Sequence, residues 1–346
     1  MDLARGLAVL FMVMVHTLWL YGTPTLNNSV FAAVIRFLGG APSAPVLMFL
    51  MGTSFMLSRR STLKGSLRRG CTLFFMAYVL NFLRGTLPAS VGLRLSVISL
   101  GDIFVPPATL LWVVDVLHFA GLALILLALI RRFLPQPVIW LIMAGAIAAG
   151  SPWLWGRTSG WPPLDWLLTF LWGATSTVFF PVFPWLCYPL TGMAFGYWLA
   201  ASTDQERLFK RAARIGLTLL FVGTAITLTR PAFHIGDYWR SGPGAVVWLI
   251  GFVLLWLFGC CWLIKRVPTN PFFHLLYSWS ENVTVFYCFH WMIVTWGAIV
   301  VGYQKQELPA VILLMIAAAA ATGLLTRIWV YWRTRWLPFP RSAGGP

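Results

Sequence analysis

Residues 2–19 read "DLARGLAVLFMVMVHTLW". Apart from Asp2, Arg5 and His16 the run is apolar. At about 1.5 Å per helical residue it is long enough to cross a hydrocarbon core of roughly 30 Å. Runs of this kind recur along the 346 residues, which are 59% hydrophobic and 10% charged. Soluble domains carry about 25% charged residues, so the chain falls outside that class. The runs are continuously apolar instead of alternating, which predicts helices and argues against a β-barrel. The expected fold is all-α: one polytopic integral membrane bundle over 1–346. The first run is too long for a signal-peptide core and no small-residue cleavage site follows it, so it reads as a retained anchor.

Charge sets the expected topology. The net charge of +16 is concentrated in short loops between apolar runs: Arg59, Arg60, Lys64, Arg68 and Arg69; Arg131 and Arg132; Arg207, Lys210, Arg211 and Arg214; Lys265 and Arg266. These fall on alternate loops, and juxtamembrane Lys and Arg stay cytoplasmic. Ten crossings satisfy pattern and charge together: 3–21, 42–58, 71–87, 108–130, 135–150, 181–202, 215–230, 244–264, 277–303 and 309–332. Both termini are then cytoplasmic. Seven of the 25 basic residues (Arg36, Arg84, Arg94, Arg157, Arg230, Arg240, Lys305) fall outside, against eighteen inside. The stretch "SPWLWGRTSGWPPLDWLL" at 151–168 is aromatic and proline-containing. It admits an interfacial or re-entrant helix that would alter the local count.

Several classes drop out. No aromatic-interleaved basic patch accompanies the charge, so nucleic acid is not an expected partner; the lipid bilayer is. The five cysteines lie mostly in apolar runs without CxxC spacing, so neither a disulfide framework nor a metal site is expected. GxSxG, P-loop, GxGxxG and HExxH motifs are absent. Twenty tryptophans, many near segment ends, suit interfacial belts. No internal repeat is evident, which weighs against the inverted-repeat transporters.

Ionisable groups at membrane depth are costly and therefore candidate site residues. His16 falls roughly 20 Å from the inner face along the first helix, and His290 roughly 20 Å along the ninth. Asp115 and His118 fall roughly 10 and 15 Å below the outer surface, and their i, i+3 spacing puts them on one helix face. Arg84 lies near the outer end of the third helix. Five polar groups from four helices thus share one layer. Each has a bland counterpart: the histidines as interhelical hydrogen bonders, Asp115 as a structural ion pair, Arg84 as a snorkelling side chain. His234 and His274 read as solvated or locally bonded. In the functional reading a neutral histidine held by a carboxylate takes a proton from a hydroxyl or amine attacking an acyl group. Cytoplasmic arginines suit a polyanionic donor.

Arg5 and His16 are separated by ten residues in "RGLAVLFMVMVH" (5–16). This Arg–x10–His arrangement resembles the signature of the membrane acyltransferase superfamily, related to the acyltransferase-3 family. "APVLMFLMGTSFMLSRR" (44–60) resembles the second-helix P-x-F-x-F-x-M-G-x-S block of the heparan-α-glucosaminide N-acetyltransferase-like branch. "VDVLHFAGLALILL" (114–127), "FPVFPWLCYPLTGMAFGYWL" (180–199) and "SENVTVFYCFHWMIV" (280–294) resemble later blocks of that branch, in the expected order.

The resemblance implies transfer of an acyl group, acetyl above all, from cytosolic acyl-CoA to a sugar or glycan hydroxyl or amine outside. An inner bacterial membrane is the expected location, and assembly of several copies stays open. Carried over, His16 is the catalytic base and Arg5 binds the donor or organises the site; the polar layer offers Asp115 as the carboxylate that orients His16. Arg59, Arg60, Arg68 and Arg69 suit CoA phosphates, although solvated positive-inside charge explains them equally well. His118, His290 and Arg84 are expected at the acceptor. One departure stands out: human-type members place their catalytic histidine in the loop after the first helix. Here that loop, "TLWLYGTPTLNNSVFAAVIRFLGG" (17–40), has none, so His16 serves or the chemistry differs. The chain also begins almost at the motif, which suggests a short preceding extension. The rival from another class is a non-enzymatic transporter or exporter of a lipid or small polar solute, with the polar layer as a proton relay. CoA binding or acyl-CoA turnover separates the two.

Overall fold

Within hydrocarbon each backbone N–H and C=O must find its partner inside its own segment, so long apolar runs become helices. The computed structural model describes residues 1–58 and 61–336. Among them the β pairing is confined to two isolated bridges, Gly22 with Gln306 and Val114 with Val178. In chain order the principal helices are α1 (Asp2–Tyr21), α2 (Val30–Gly40), α3 (Ala44–Leu57), α4 (Leu63–Asn81), α5 (Val116–Phe133), α6 (Pro137–Leu154), α7 (Cys187–Ala201), α8 (Gln205–Thr229), α9 (Pro243–Arg266), α10 (Pro271–Glu281), α11 (Val283–Val301) and α12 (Leu308–Trp336). Nine helices among the described residues are long and apolar enough to cross a membrane, counting Val30–Leu57 and Leu63–Arg94 as one each. The tenth expected crossing, 181–202, holds the 15-residue α7, which at about 1.5 Å per residue is roughly 22 Å long. The chain is an integral, multi-pass membrane protein.

Helix ends follow their sequence signals. Proline, whose missing N–H costs nothing in the first turn, opens α6, α9 and α10. Thr62, Asp204 and Asn270 cap α4, α8 and α10. Basic residues close α5 and α9, where they meet the negative end of the helix dipole. The 151–168 stretch holds the first half of an 11-residue helix, Pro162–Trp172, too short to span and lying between α6 and α7.

Contacts gather the basic loops at one end of the bundle. The Arg131 guanidinium at the end of α5 lies 5.7 Å above the Phe55 ring at the end of α3. Lys265 at the end of α9 pairs with Glu206 at the start of α8 at 2.6 Å. Arg5 at the start of α1 bonds Ser54 of α3 and Ser280 of α10. This is the arrangement that the alternating charge predicts.

Two glycines set the tightest crossing. A Cβ on Gly52 of α3 would fall 1.9 Å from the Pro189 carbonyl of α7, and one on Gly192 would fall 1.9 Å from the Phe49 carbonyl. Small residues let membrane helices approach this closely, and the Thr53 hydroxyl then donates to the Gly192 carbonyl at 3.0 Å.

Three expected crossings are interrupted. The 108–130 run is not one helix: residues 111–114 are irregular, and α5 starts only after Asp115. Irregular backbone is tolerated at depth where protein satisfies it. Here the Asn81 amide donates to the Leu111 and Val113 carbonyls at 3.1 and 2.7 Å, and Val114 exchanges backbone bonds with Thr177 and Phe179. The 277–303 run breaks at Asn282 between α10 and α11. The third run extends to Arg94 through a π-helical turn at Phe82–Thr86, in which Leu87 N–H reaches back to the Phe82 carbonyl. Pro88 supplies the reason: it has no N–H for the Arg84 carbonyl four residues earlier, so the ladder shifts register before it.

Candidate active site

Among the described residues a cavity of about 1580 Å³ is lined by side chains from both ends of the bundle. At the basic end its wall includes Arg5, Ser54, Ser58, Ser61, Arg69 and Arg333. At the opposite end it includes Asn27, Asn28, Arg36, Asp102 and Gln304. Between them lie apolar side chains of α3 and α5, such as Leu47, Met51, Ala120 and Leu124, and then His16, Arg84, Asp115 and Trp291.

His16 is held from two sides. Its Nδ1 lies 3.0 Å from His290 Nε2 of α11. Its ring stacks on the Trp291 indole, with centroids 4.0 Å apart and planes 30° apart. Nδ1 being engaged, Nε2 is the nitrogen left for a molecule in the cavity.

The Arg84 guanidinium lies 4.4 Å from the Trp291 indole centroid, a cation–π contact. Arg84 is only 9% exposed and forms an ion pair with Asp115. Arg84, buried within the π turn, also donates to Asn81 Oδ1 at 3.1 Å. Asp115 is fully used: its Oδ2 accepts from Arg84 and, at 2.6 Å, from the Tyr287 hydroxyl, and its Oδ1 accepts the Val116 N–H at 2.7 Å. A buried carboxylate needs this many donors.

At the basic mouth Arg5 donates to Ser54 Oγ at 2.8 Å and to Asp2 and Ser280 at 3.2 and 3.3 Å, while Ser280 donates to Asp2 at 3.0 Å. One side chain thus ties α1, α3 and α10 together beside the cavity. The M-G-x-S block gains a physical meaning: Gly52 permits the helix crossing and Ser54 receives Arg5. At the other mouth the Ser99 backbone N–H and hydroxyl both donate to Asp102 and hold its carboxyl below the ordinary aspartate range.

The structure brings together most of the residues singled out from sequence and changes their pairings. His16, Arg84 and Asp115 line one cavity, and His290 contacts His16 from behind. The expected His16–Asp115 contact is replaced by His16–His290, because Asp115 spends both oxygens on Arg84, Tyr287 and the start of α5. Arg84 is neither a snorkelling side chain nor in an outer loop. His118 does not line the cavity: its ring is buried among Phe74, Tyr78 and Phe170, and its Nδ1 accepts the Asp115 N–H at 3.3 Å. It closes a capping box on α5, so the expectation that it meets the acceptor fails. His290 lies behind His16 and is itself fully buried. His234 is buried, not solvated, and its Nδ1 accepts the Gly244 N–H at 3.1 Å. Arg69 lines the basic mouth and Arg68 does not; Arg59 and Arg60 lie outside the described residues. Asn81, Tyr287, Trp291, Ser54 and Ser280 were missed. Of these, Ser54, Ser280, Tyr287 and Trp291 lie in the resembling blocks, and Asn81 carries no signal. No group of three metal-ligating His, Cys, Asp or Glu side chains comes together among the described residues.

Comparison with known proteins adds one finding. Residues 1–229 match the family model described as heparan-alpha-glucosaminide N-acetyltransferase, catalytic. The match spans α1 to α8, and with it Arg5, His16, Arg84 and Asp115. His290 and Trp291 lie beyond it. No curated protein and no solved structure gives a significant match. The chain belongs to that family.

Proposed function

We propose that this member of the heparan-α-glucosaminide N-acetyltransferase catalytic family moves an acyl group, acetyl in the first instance, from acyl-CoA to a sugar hydroxyl or amine on the other side of the membrane. The observation that carries the reading is the continuity of the cavity. One passage joins an arginine-bearing mouth to a polar mouth at the other end, with His16 along its wall. A soluble donor and an extracytoplasmic acceptor then meet at one histidine without either crossing the bilayer. The basic mouth is the cytoplasmic one by the positive-inside rule, and an inner bacterial membrane suits a cytosolic CoA pool.

Each part of the passage has a task. Arg5, Arg69 and Arg333 suit the phosphates and adenylate of CoA. The apolar stretch of α3 and α5 admits the extended pantetheine arm. Arg5 and His16 are eleven residues apart, roughly 16 Å along the helix, a span that such an arm covers. His16 Nε2 accepts the proton of the acceptor O–H or N–H as that oxygen or nitrogen bonds to the thioester carbonyl carbon. The negative charge passes to the carbonyl oxygen, and Arg84, which lines the same cavity as His16, is the cation assigned to it. Collapse of the adduct breaks the C–S bond, and the CoA thiolate leaves with the proton held by His16. Asp115 serves at one remove, by holding Arg84.

Thermal unfolding of the detergent-solubilised protein with and without CoA tests the donor half of this reading. A concentration-dependent rise in Tm is expected, since a ligand that binds only the folded state stabilises it. Absence of any rise at millimolar CoA, with no acyl-CoA turnover, favours the transporter reading, in which the same passage conducts a solute.

A further inference from the structure

A histidine can act as a base only when the nitrogen facing its substrate carries no proton, so the hydrogen on the other nitrogen must be held. In the usual triad a carboxylate holds it. Among the described residues no carboxylate contacts His16, and the Asp115 side chain accepts from Arg84, Tyr287 and Val116 instead. What faces His16 Nδ1 is a second imidazole, His290 Nε2, 3.0 Å away.

One of these nitrogens carries the hydrogen and the other a lone pair, and the surroundings of His290 decide which. Its Nδ1 is buried without a hydrogen-bond partner, and the helix carbonyls nearest a side chain are those three and four residues earlier, here Tyr287 and Phe286 of α11. Were His290 to donate through Nε2, its Nδ1 lone pair would face those carbonyl oxygens, and the His16 proton would sit on Nε2, where it blocks the base. With the hydrogen on His290 Nδ1, a donor faces the carbonyls instead. A bent N–H to a carbonyl is tolerated, whereas two apposed acceptors repel.

We infer that His290 is the positioning residue of the reaction: its Nε2 accepts the His16 Nδ1–H, so that the His16 Nε2 lone pair is turned to the cavity. The inference rests on the reading of His16 as base. Atoms balance simply. The acceptor proton moves to His16 Nε2, the Nδ1–H stays on His16, and His290 receives no proton and stays neutral. As His16 becomes cationic its bond to His290 becomes charge-assisted and strengthens. The help is therefore larger in the transition state than before it, and falls on kcat. Trp291, stacked on the His16 ring, removes the other freedom, rotation about χ2.

The test compares His290→Leu with His290→Gln in the purified full chain, measuring kcat, acceptor KM and the Tm rise given by CoA. Leucine removes the acceptor, whereas the glutamine carbonyl oxygen reaches a similar position and accepts the same hydrogen. His290→Leu is expected to lower kcat roughly 10- to 100-fold, the worth of one charge-assisted hydrogen bond. KM and the CoA-induced Tm rise should change little, and His290→Gln should recover most of the loss. Equal kcat in the two variants, or a change confined to KM, overturns the inference. Where neither variant folds, ¹⁵N-histidine spectra of the wild-type chain decide, since there are only five histidines. A His16 protonated at Nδ1 supports the proposal and one protonated at Nε2 ends it. His16→Ala run in parallel separates the layers: if it is inactive while His290→Leu is unaffected, only the positioning role falls. If His16→Ala is fully active, the base reading falls as well.

Discussion

Replacing Asp115 with asparagine should lower stability directly and reach the chemistry only through Arg84, because its side chain bonds Arg84, Tyr287 and the start of α5. Asp115 accepts from Arg84, from Tyr287 at 2.6 Å and from the Val116 N–H at 2.7 Å. Asparagine keeps one acceptor oxygen. With that oxygen on Val116, its NH₂ group faces two donors, and the buried Arg84 guanidinium loses its counter-charge. Removing one partner of a buried ion pair costs about 3–5 kcal/mol. Contact of Arg84 with the cavity places this site at the lower end, about 3 kcal/mol. Arg84→Met alone strands the carboxylate and should cost a similar amount. The double variant removes both charges and should lose clearly less than the two single losses together, because an ion pair replaced as a whole is often near neutral. Tm measured at one scan rate in one detergent for the four proteins gives the cycle. Additive losses, or a wild-type Tm in Asp115→Asn, would refute the pairing.

Other outcomes follow from the same geometry. Arg69→Gln should weaken CoA binding, more at low salt than at high salt because phosphate contacts are screened, whereas Arg68→Gln should leave it unchanged; titration of the CoA-induced Tm rise at two ionic strengths checks both. Gly52→Leu should prevent folding, since its side chain would enter the Pro189 backbone 1.9 Å from the built Cβ, while Gly52→Ala should fold with a lowered Tm; a monodisperse, wild-type-stable Gly52→Leu would contradict the crossing. The Asp102 carboxyl, held low by Ser99, should contribute to order at the polar mouth at any pH above its unfolded value of about 3.9. That contribution is lost only as pH falls through the depressed folded value, so hydrogen exchange in 99–103 should be flat from pH 8 to 5 after correction for intrinsic rates, and a step inside that range would be evidence against it.

Periodicity and charge carried the fold class and the gathering of the basic loops at one end, because these depend on composition along single segments. The pairings within the layer were not legible, because helical periodicity says which face a residue occupies and not which helix it meets. Asp115 illustrates the difference. Counted as a residue inside a helix starting at 108, it faced His16; as the N-cap of α5, it turns to Arg84 and Tyr287. An aspartate immediately before an apolar run is a cap signal, and His118 three residues later completes it. Arg84 reads as an outer-rim side chain in sequence, because nothing along the third helix marks the Asp115 and Trp291 that meet it inside the bundle. Ser54 and Ser280 are chemically unremarkable in sequence and acquire their roles only when α3 and α10 close on Arg5.

In the proposed reaction acyl groups pass from CoA at the basic mouth to an acceptor at the polar mouth by way of His16. Proteoliposomes of known orientation, with labelled acetyl-CoA on the side of the basic loops and glucosamine on the other, measure this directly. Wild-type protein should acetylate the acceptor across the membrane. His16→Ala should lose about 10²- to 10⁴-fold in rate, the usual worth of a general base, while keeping the CoA-induced Tm rise. Acetylation only when donor and acceptor share one side, or wild-type rates in His16→Ala, would contradict it.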